Sequence, residues 1–150
     1  MRRLLLPPLA PALLGLTLLA LPVLAEKANL SPKELRETAT HVVTGEVVSV
    51  YAKTETKESW KYVRYVAELR VEASEKGDGL AKGDLVYVRY WTRSWSGLGV
   101  MPPSTNGHRG IPKEGEKIRV YLARNAYDGF SKENSDGGFN VIGANGFEKP

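Results

Sequence analysis

Apolar and polar residues alternate along much of the chain after residue 40, at the two-residue period that is typical of β-strands. The clearest case is WKYVRYVAELRVEAS, residues 60–74, in which every second residue from Val63 to Val71 is apolar or aromatic. Mostly charged residues lie between them, so one face is expected to be buried and the other solvated. Leu69 is part of the apolar series, and we predict that its side chain is buried.

Four other segments have a strand pattern. They are residues 41–52, 84–91, 116–124 and 138–147. In the first, the apolar residues fall on both parities, Val43 and Val47 on one and Val42, Val48 and Val50 on the other. The pattern therefore shifts around Gly45, which predicts a β-bulge or sharp bend at that glycine. Apolar residues fall on both parities of 84–91, so both faces of that strand are expected to be covered. The polar stretch KTETKES, residues 53–59, is interpreted as a connection.

A short helix is predicted before the first strand. Ser31 is a candidate N-cap, Pro32 takes the first helical position, and Glu34 stands three residues after the cap, as in a capping box. Together with five strands and no long helical crossover, this predicts an all-β fold. The specific expectation is a five-stranded antiparallel OB-like barrel with a short N-terminal helix, since a bent first strand can pair at both ends of such a barrel. A small β-sandwich is the alternative.

Residues 1–25 have the order of a secretory signal peptide. Arg2 and Arg3 precede an apolar run, and Val-Leu-Ala stands directly before the charged Glu26. Prolines interrupt the run and no basic cluster follows it, which disfavours a membrane anchor. We therefore predict cleavage before Glu26, a secreted or periplasmic location, no membrane span after cleavage, and a single domain over residues 26–150.

The composition excludes several kinds of site. The chain contains no cysteine, which removes disulfides, thiol catalysis and cysteine-ligated metals. It carries 21 Lys and Arg against 17 Asp and Glu, and because two of the arginines lie in the leader, the mature domain is only mildly basic. A weak positive charge does not indicate nucleic-acid binding, so a nucleic-acid partner is not expected.

No catalytic, metal or cofactor residues are predicted. His41 and His108 do not stand at metal-ligand spacing with each other or with a carboxylate. The serines near His108 are not accompanied by a nucleophile-elbow motif. Glu68 and Glu72 lie beside arginines on the polar parity of a strand, where a cross-strand charge ladder is the ordinary explanation.

One stretch concentrates aromatic and basic residues. It is YWTRSWSGLGVMPPSTNGHRG, residues 90–110, and no Asp or Glu occurs between Leu85 and Lys113. Indole faces and guanidinium groups together can hold a sugar or base and an anionic group. The candidate ligand-binding residues are Arg89, Trp91, Arg93, Trp95, His108 and Arg109.

The same stretch has a second interpretation, as a structural cap over the open end of the barrel. Val100, Met101 and Ile111 can fold inward, with glycine and proline supplying the turns. In that case Trp91, at the end of the strand, is buried, while the tip around Trp95 and His108 stays more exposed. The sequence leaves both interpretations open.

The strand rhythm and glycine placement resemble the netrin-module and metalloproteinase-inhibitor type of OB-fold domain. The segments concerned are HVVTGEVVSV, YVRYVAELRVEASEKGDGLAKGDLVYVRYW, IPKEGEKIRVYLAR and GGFNVIGANGF. The resemblance covers most of residues 35–147 and implies an OB-type fold, as in exported bacterial proteins of that shape. The inhibitors chelate a protease zinc through an N-terminal cysteine, whereas this chain is expected to begin at Glu26, so the resemblance does not supply that activity.

These observations predict a non-enzymatic, exported binding or interaction module. It would contact an extracytoplasmic protein partner or an anionic glycan through residues 89–110. The alternative is a small extracytoplasmic enzyme or enzyme accessory that uses His108 with Arg93 or Arg109 on an anionic substrate. That alternative requires His108 and an arginine to converge in a concave pocket.

Overall fold

The structure, a computed structural model, describes residues 29–101, 107–124 and 138–150. Its elements are α1 Pro32–Thr38, β1 His41–Lys57, β2 Trp60–Lys76, β3 Leu85–Trp95, β4 Lys117–Arg124, β5 Phe139–Val141 and β6 Phe147–Glu148. The predicted all-β class is confirmed. The predicted signal peptide lies outside the described residues. Within the described ranges, no helix has the length and apolar character needed to cross a membrane.

The strands form one sheet that closes into a ring. Their order is β1-β2-β3-β5-β4-β6, and β1 also pairs with β4. The expectation of a wholly antiparallel sheet was wrong, because β5 runs parallel to β3 while it is antiparallel to β4. β3 and β4 run in opposite directions, so any strand inserted between them must be parallel to one of the two. The expected fifth strand is also two short strands, β5 and β6.

β1 is bent where the sequence predicted a distortion. Its register with β2 shifts between Val42 and Val43, Thr44 and Gly45, and Val47 and Ser49. At Gly45 a Cβ atom would overlap the carbonyl oxygen of Arg70, so the close approach of the two backbones requires glycine. The bent part of β1 pairs with β2 on one side and, over residues 41–46, with β4 on the other.

The hairpin of β1 and β2 is longer than the sequence pattern predicted. β1 continues to Lys57, which pairs with Trp60 across the turn at Glu58 and Ser59. Glu58 has a φ of 54°, as a tight hairpin turn requires. The stretch interpreted as a connection is therefore mostly strand. Its side chains are exposed, so it lacks the apolar alternation by which a half-buried strand is identified.

Buried side chains form two clusters. The larger fills the inside of the ring and includes Leu69, which is 0% exposed, so the predicted burial of Leu69 is confirmed. The smaller lies between α1 and the sheet and includes Leu35, Val42 and Tyr121. A capping box at Ser31, as predicted, starts the helix that contributes Leu35.

The first half of β3 buries only one of its faces. Val86 and Val88 are buried in the ring, whereas Leu85 and Tyr87 are 45% and 54% exposed. The expectation that both faces of this strand are covered was therefore wrong at these positions. Leu85 and Tyr87 lie on the outer face of the ring, opposite Arg70 and Glu68 of β2.

Glu75 of β2 connects the helix to the sheet. Its carboxylate accepts hydrogen bonds from Arg119 Nε at 2.7 Å, Thr44 Oγ1 at 2.9 Å and Arg36 Nη2 at 3.0 Å. The bond from Arg119 is the largest influence that holds the pKa of Glu75 below its usual value. These contacts tie α1, β1 and β4 to one carboxylate.

Glu75→Gln is therefore expected to lower the free energy of unfolding at neutral pH and to weaken its dependence on acid pH. A carboxyl whose pKa is lower in the folded state stabilises the fold above its unfolded pKa, about 4.3 for Glu. That contribution disappears as the pH falls through the folded pKa. Urea unfolding at a series of pH values should show the largest difference between wild type and variant above about pH 5, shrinking below about pH 4.

The control for this prediction is Glu37→Gln. Glu37 forms an ion pair with Lys33 at 3.8 Å, and both side chains are largely exposed, so its removal should change stability little at any pH. A Glu75→Gln effect that stays constant from neutral to strongly acidic pH would contradict the assignment of the stabilising role to the ionised carboxylate.

Candidate functional site

An open cleft of about 370 Å³ lies against β1, β2 and β3. Its lining residues are Tyr51, Ala52, Lys53, Arg64, Tyr65, Val66, Arg89, Tyr90 and Trp91. The strand register arranges six of them in two rows, Tyr51–Val66–Arg89 and Lys53–Arg64–Trp91. Residues directly opposite each other in antiparallel strands point to the same face. The two rows therefore share one face, which we call the cleft face.

The lining of the cleft is basic and aromatic. Lys53, Arg64 and Arg89 contribute cations, and none of the residues that line it is acidic. Glu55, also on the cleft face, lies 3.7 Å from the guanidinium of Arg64. A concave site with an excess of one charge raises the local concentration of ligands of the opposite charge, so this cleft favours an anion.

Trp91 is held in place by the segment that follows residue 106. Its side chain is 7% exposed, and the backbone N–H of His108 donates to the Trp91 carbonyl at 2.9 Å. Gly107 has a φ of +86°, and a Cβ atom there would lie 2.7 Å from Cε3 of the indole. Only glycine fits this approach without strain. The predicted burial of Trp91 is confirmed.

His108 is buried rather than exposed at a loop tip. Its side chain is 4% exposed. The Trp91 backbone N–H donates to Nδ1 at 3.1 Å, and Nε2 lies 3.0 Å from the carbonyl oxygen of Val141. Nδ1 also lies 3.0 Å from the Trp91 carbonyl oxygen. An imidazole with its hydrogen on Nε2 accepts from the Trp91 N–H and donates to Val141. The expectation of an exposed His108 was wrong because these backbone groups of β3 and β5 hold the ring inside the fold.

The structure brings together only part of the predicted binding set. Arg89 and Trp91 line the cleft, whereas His108 is absent from its lining. Arg109 is exposed, and its backbone N–H donates to the carbonyl of Ala144 at 2.7 Å. The convergence of His108 with an arginine in a pocket, which an enzymatic role requires, is not a feature of this cleft.

Arg93 and Trp95 lie farther along β3, next to the hairpin turn. The Arg93 guanidinium lies 4.5 Å from the ring centroid of Trp60. The rings of Trp60 and Trp95 pack edge to face with their centroids 5.1 Å apart. Trp95 is half-buried, so it is more exposed than Trp91, as predicted. These side chains form a separate aromatic and basic group outside the cleft.

The segment after β3 divides into an exposed part and a packed part. Leu98 and Val100 are 102% and 94% exposed, and Met101 is also exposed, so the inward folding expected of Val100 and Met101 was wrong. Gly107 forms a bridge with Thr92, and Ile111 packs against the larger core cluster, as expected. The part that covers Trp91 and the core therefore follows residue 106, where backbone bonds to β3 hold it down.

Sequence reasoning missed Tyr51, Lys53, Arg64 and Val66, which complete the cleft. A signal was present, since Lys53 and Arg64 each stand two residues from Tyr51 or Val66, the spacing of one strand face. Their approach to Trp91 depends on the pairing of three strands. That pairing could not be predicted once residues 53–59 had been interpreted as a connection.

The described residues include no group of three or more histidine, aspartate or glutamate side chains placed to hold a metal ion. Comparison of the chain with protein-family models, with curated proteins and with solved structures found no match. The geometry and charge of the cleft are therefore the basis for assigning a function.

Proposed function

We propose that the chain is an exported, non-enzymatic module that binds an anionic glycan in the cleft of β1, β2 and β3. The observation that carries the proposal is the lining of the cleft, which has three cations and exposed aromatic surface but no acidic residue. Sulfate or carboxylate groups of a glycan would contact Lys53 and the arginines. The ring of Tyr51 supplies a face on which a sugar packs, because it is 57% exposed.

The dimensions of the cleft also favour a small part of a longer chain. A volume of about 370 Å³ is at the lower end of the range for sites that bind small molecules. The cleft is open to solvent, so a glycan that fills it with a few sugar units can continue beyond it. Trp91, held by Gly107 and His108, supplies a rigid side to the site.

We also propose that the ring is an OB-type barrel, in line with the netrin-module resemblance. The support is that β1 is bent and pairs with both β2 and β4. OB-folds bind oligosaccharides and oligonucleotides on the face of their second and third strands, and Arg64, Val66, Arg89 and Trp91 occupy those strands here. Export rests on the predicted signal peptide.

The enzymatic alternative has less support. A general base must lie within hydrogen-bond reach of the proton that it removes. Both ring nitrogens of His108 lie at hydrogen-bond distance from backbone groups of Trp91 and Val141, inside the fold. A structural role accounts for these contacts.

Lys53→Ala is expected to weaken the binding of a sulfated oligosaccharide by about two- to fivefold, the effect of losing one exposed charge contact. The probe is a heparin-derived oligosaccharide, measured by isothermal titration calorimetry beside an uncharged oligosaccharide of equal length. The matched control is Lys61→Ala. Lys61 is an exposed lysine of β2 that is opposite Thr56 and Ser94, on the face away from the cleft.

The proposal requires the charged oligosaccharide to bind and Lys53→Ala to weaken binding more than Lys61→Ala does. Equal losses in the two variants would mean that net charge, rather than the cleft, attracts the ligand. Absence of binding to the sulfated probe, or tighter binding to a single-stranded oligonucleotide, would reject an anionic glycan as the ligand.

A further inference from the structure

The outer edge of the hairpin has no partner strand in the described part of the chain. β1 pairs with β4 only over residues 41–46, whereas Tyr51–Lys57 pairs with β2 alone. Every residue from Tyr51 to Lys57 is exposed. One side of this regular strand therefore presents backbone N–H and C=O groups to the solvent, and such an edge is a template for pairing with another strand.

The parity of β1 determines which backbone groups face outward. The Val50 N–H donates to Glu114 Oε1 at 3.1 Å. Glu114 precedes β4, which pairs with β1 on the side opposite β2, so the Val50 N–H points away from β2. Backbone groups alternate in direction along a strand. Ala52, Thr54 and Thr56 therefore present their N–H and C=O groups on the open edge.

We propose that this edge pairs with the same edge of a second copy of the chain, in a dimer whose two-fold axis passes beside Thr54. In this register Thr54 lies opposite Thr54 of the second copy, and Ala52 lies opposite Thr56 of the second copy. All three outward-facing residues then both donate and accept a backbone hydrogen bond. The contact is isologous, with the same patch used by both chains, so it closes at two copies.

The charges on the edge favour an axis at Thr54 over an axis at Lys53 or at Glu55. With the axis at Thr54, Lys53 lies opposite Glu55 of the second copy, and the reciprocal pair forms as well. Lys53 and Glu55 of the second copy form a non-hydrogen-bonded pair. In such pairs the two opposite side chains lie closer together than in hydrogen-bonded pairs. If the axis passed beside Lys53, the Lys53 side chains of the two copies would face each other. If it passed beside Glu55, the two Glu55 side chains would face each other. The complementarity is to the strand's own sequence, which favours a second copy over an unrelated peptide.

Pairing of the two edges has a structural consequence for the cleft. It makes one continuous sheet of β1, β2 and β3 from both copies, with the two cleft faces on the same side. Tyr51 and Lys53, which line the cleft, then lie next to the shared edge. The dimer itself does not depend on the proposed glycan binding, because it rests on the strand edge and its charges.

Thr54→Pro is the first test. Proline removes the outward N–H and is tolerated where that group does not serve the strand's own sheet. Sedimentation equilibrium from about 1 μM to about 1 mM, on the protein recovered after expression of the full chain, should show a dimer for wild type and a monomer for this variant. Thr54→Val is the matched control, since it keeps the backbone groups and should keep the dimer. Circular dichroism and the urea midpoint confirm that each variant is folded.

A charge exchange tests the register independently of proline. Lys53→Glu and Glu55→Lys should each weaken dimerisation by at least about tenfold, because each places like charges opposite each other. The double exchange, Lys53→Glu with Glu55→Lys, restores both ion pairs and should restore the dimer. An equal mixture of the two single variants should form a heterodimer.

Three results would overturn the proposal. One is a wild-type chain that stays monomeric over the whole concentration range. Another is a dimer that neither Thr54→Pro nor the single charge reversals weaken. The third is a double exchange that dimerises no better than the single variants do. None of these results bears on glycan binding in the cleft, which is measured separately as the test of the proposed function.

Discussion

Replacing Trp91 with alanine is expected to lower the free energy of unfolding by about 3 to 5 kcal/mol, the usual loss for a large buried aromatic side chain. The side chain is 7% exposed and lies under Gly107, whose Cα approaches too closely to carry a Cβ. The covering backbone is held by hydrogen bonds between His108 and Trp91. It is therefore poorly able to collapse into the space that the indole vacates.

Trp95→Ala is the matched comparison, because it deletes the same side chain from the same strand. Trp95 is half-buried, and its main aromatic contact is the edge-to-face packing with Trp60. The expected loss is about 1 kcal/mol, the size of an aromatic pair. Urea unfolding of the two variants, analysed with the same m-value, gives the loss of unfolding free energy for each. Equal losses in the two variants would refute the distinction between a structural Trp91 and a more exposed Trp95.

Leu69→Ala is expected to cost about 2 to 5 kcal/mol. Leu69 is 0% exposed at the centre of β2, and the opposing residues on both neighbouring strands, Val47 and Val86, are also buried. The backbones of β1 and β2 approach closely at Gly45, beside this side chain. Backbone hydrogen bonds to β1 and β3 hold the neighbouring residues in place, so a cavity remains after truncation. The cost of this cavity adds to the free energy lost with the buried apolar surface.

The control for this prediction is Leu85→Ala. Leu85 is the same residue type at the start of β3, but its side chain is 45% exposed on the outer face. Its truncation should cost less than about 1 kcal/mol, because little apolar surface leaves the protein interior. A denaturation midpoint that Leu69→Ala does not change, or that both substitutions change equally, would mean that the phase of β2 is wrong.

The features that sequence reasoning identified correctly depend on neighbours in the chain. The capping box at Ser31 and Glu34 starts α1 because both groups lie within one helical turn. The alternation around Leu69 identifies the buried face of β2 because successive side chains of a strand point to opposite sides. Gly45 was interpreted as a bend from the change of parity around it, and the register shifts of β1 occur there.

The errors arose where a distant segment decides the environment. KTETK has polar side chains on both faces, so nothing in it distinguishes an exposed strand from a connection. It becomes strand because β2 pairs with it through Lys57. His108 stands in a stretch rich in glycine and proline and was expected to be exposed. The carbonyl of Val141 and the N–H of Trp91 give its ring nitrogens partners that compensate for its burial.

The sequence by itself determined the all-β class, the start of the helix, the buried face of β2 and the absence of thiol chemistry, because these follow from residue type and local period. Only the tertiary structure decided that Lys53, Arg64 and Trp91 form one row of a cleft, and that one edge of β1 has no partner strand among the described residues. Both depend on which strands pair and in which register. A one-residue shift in pairing moves every side chain to the other face, so the site exists only once the ring of strands has closed.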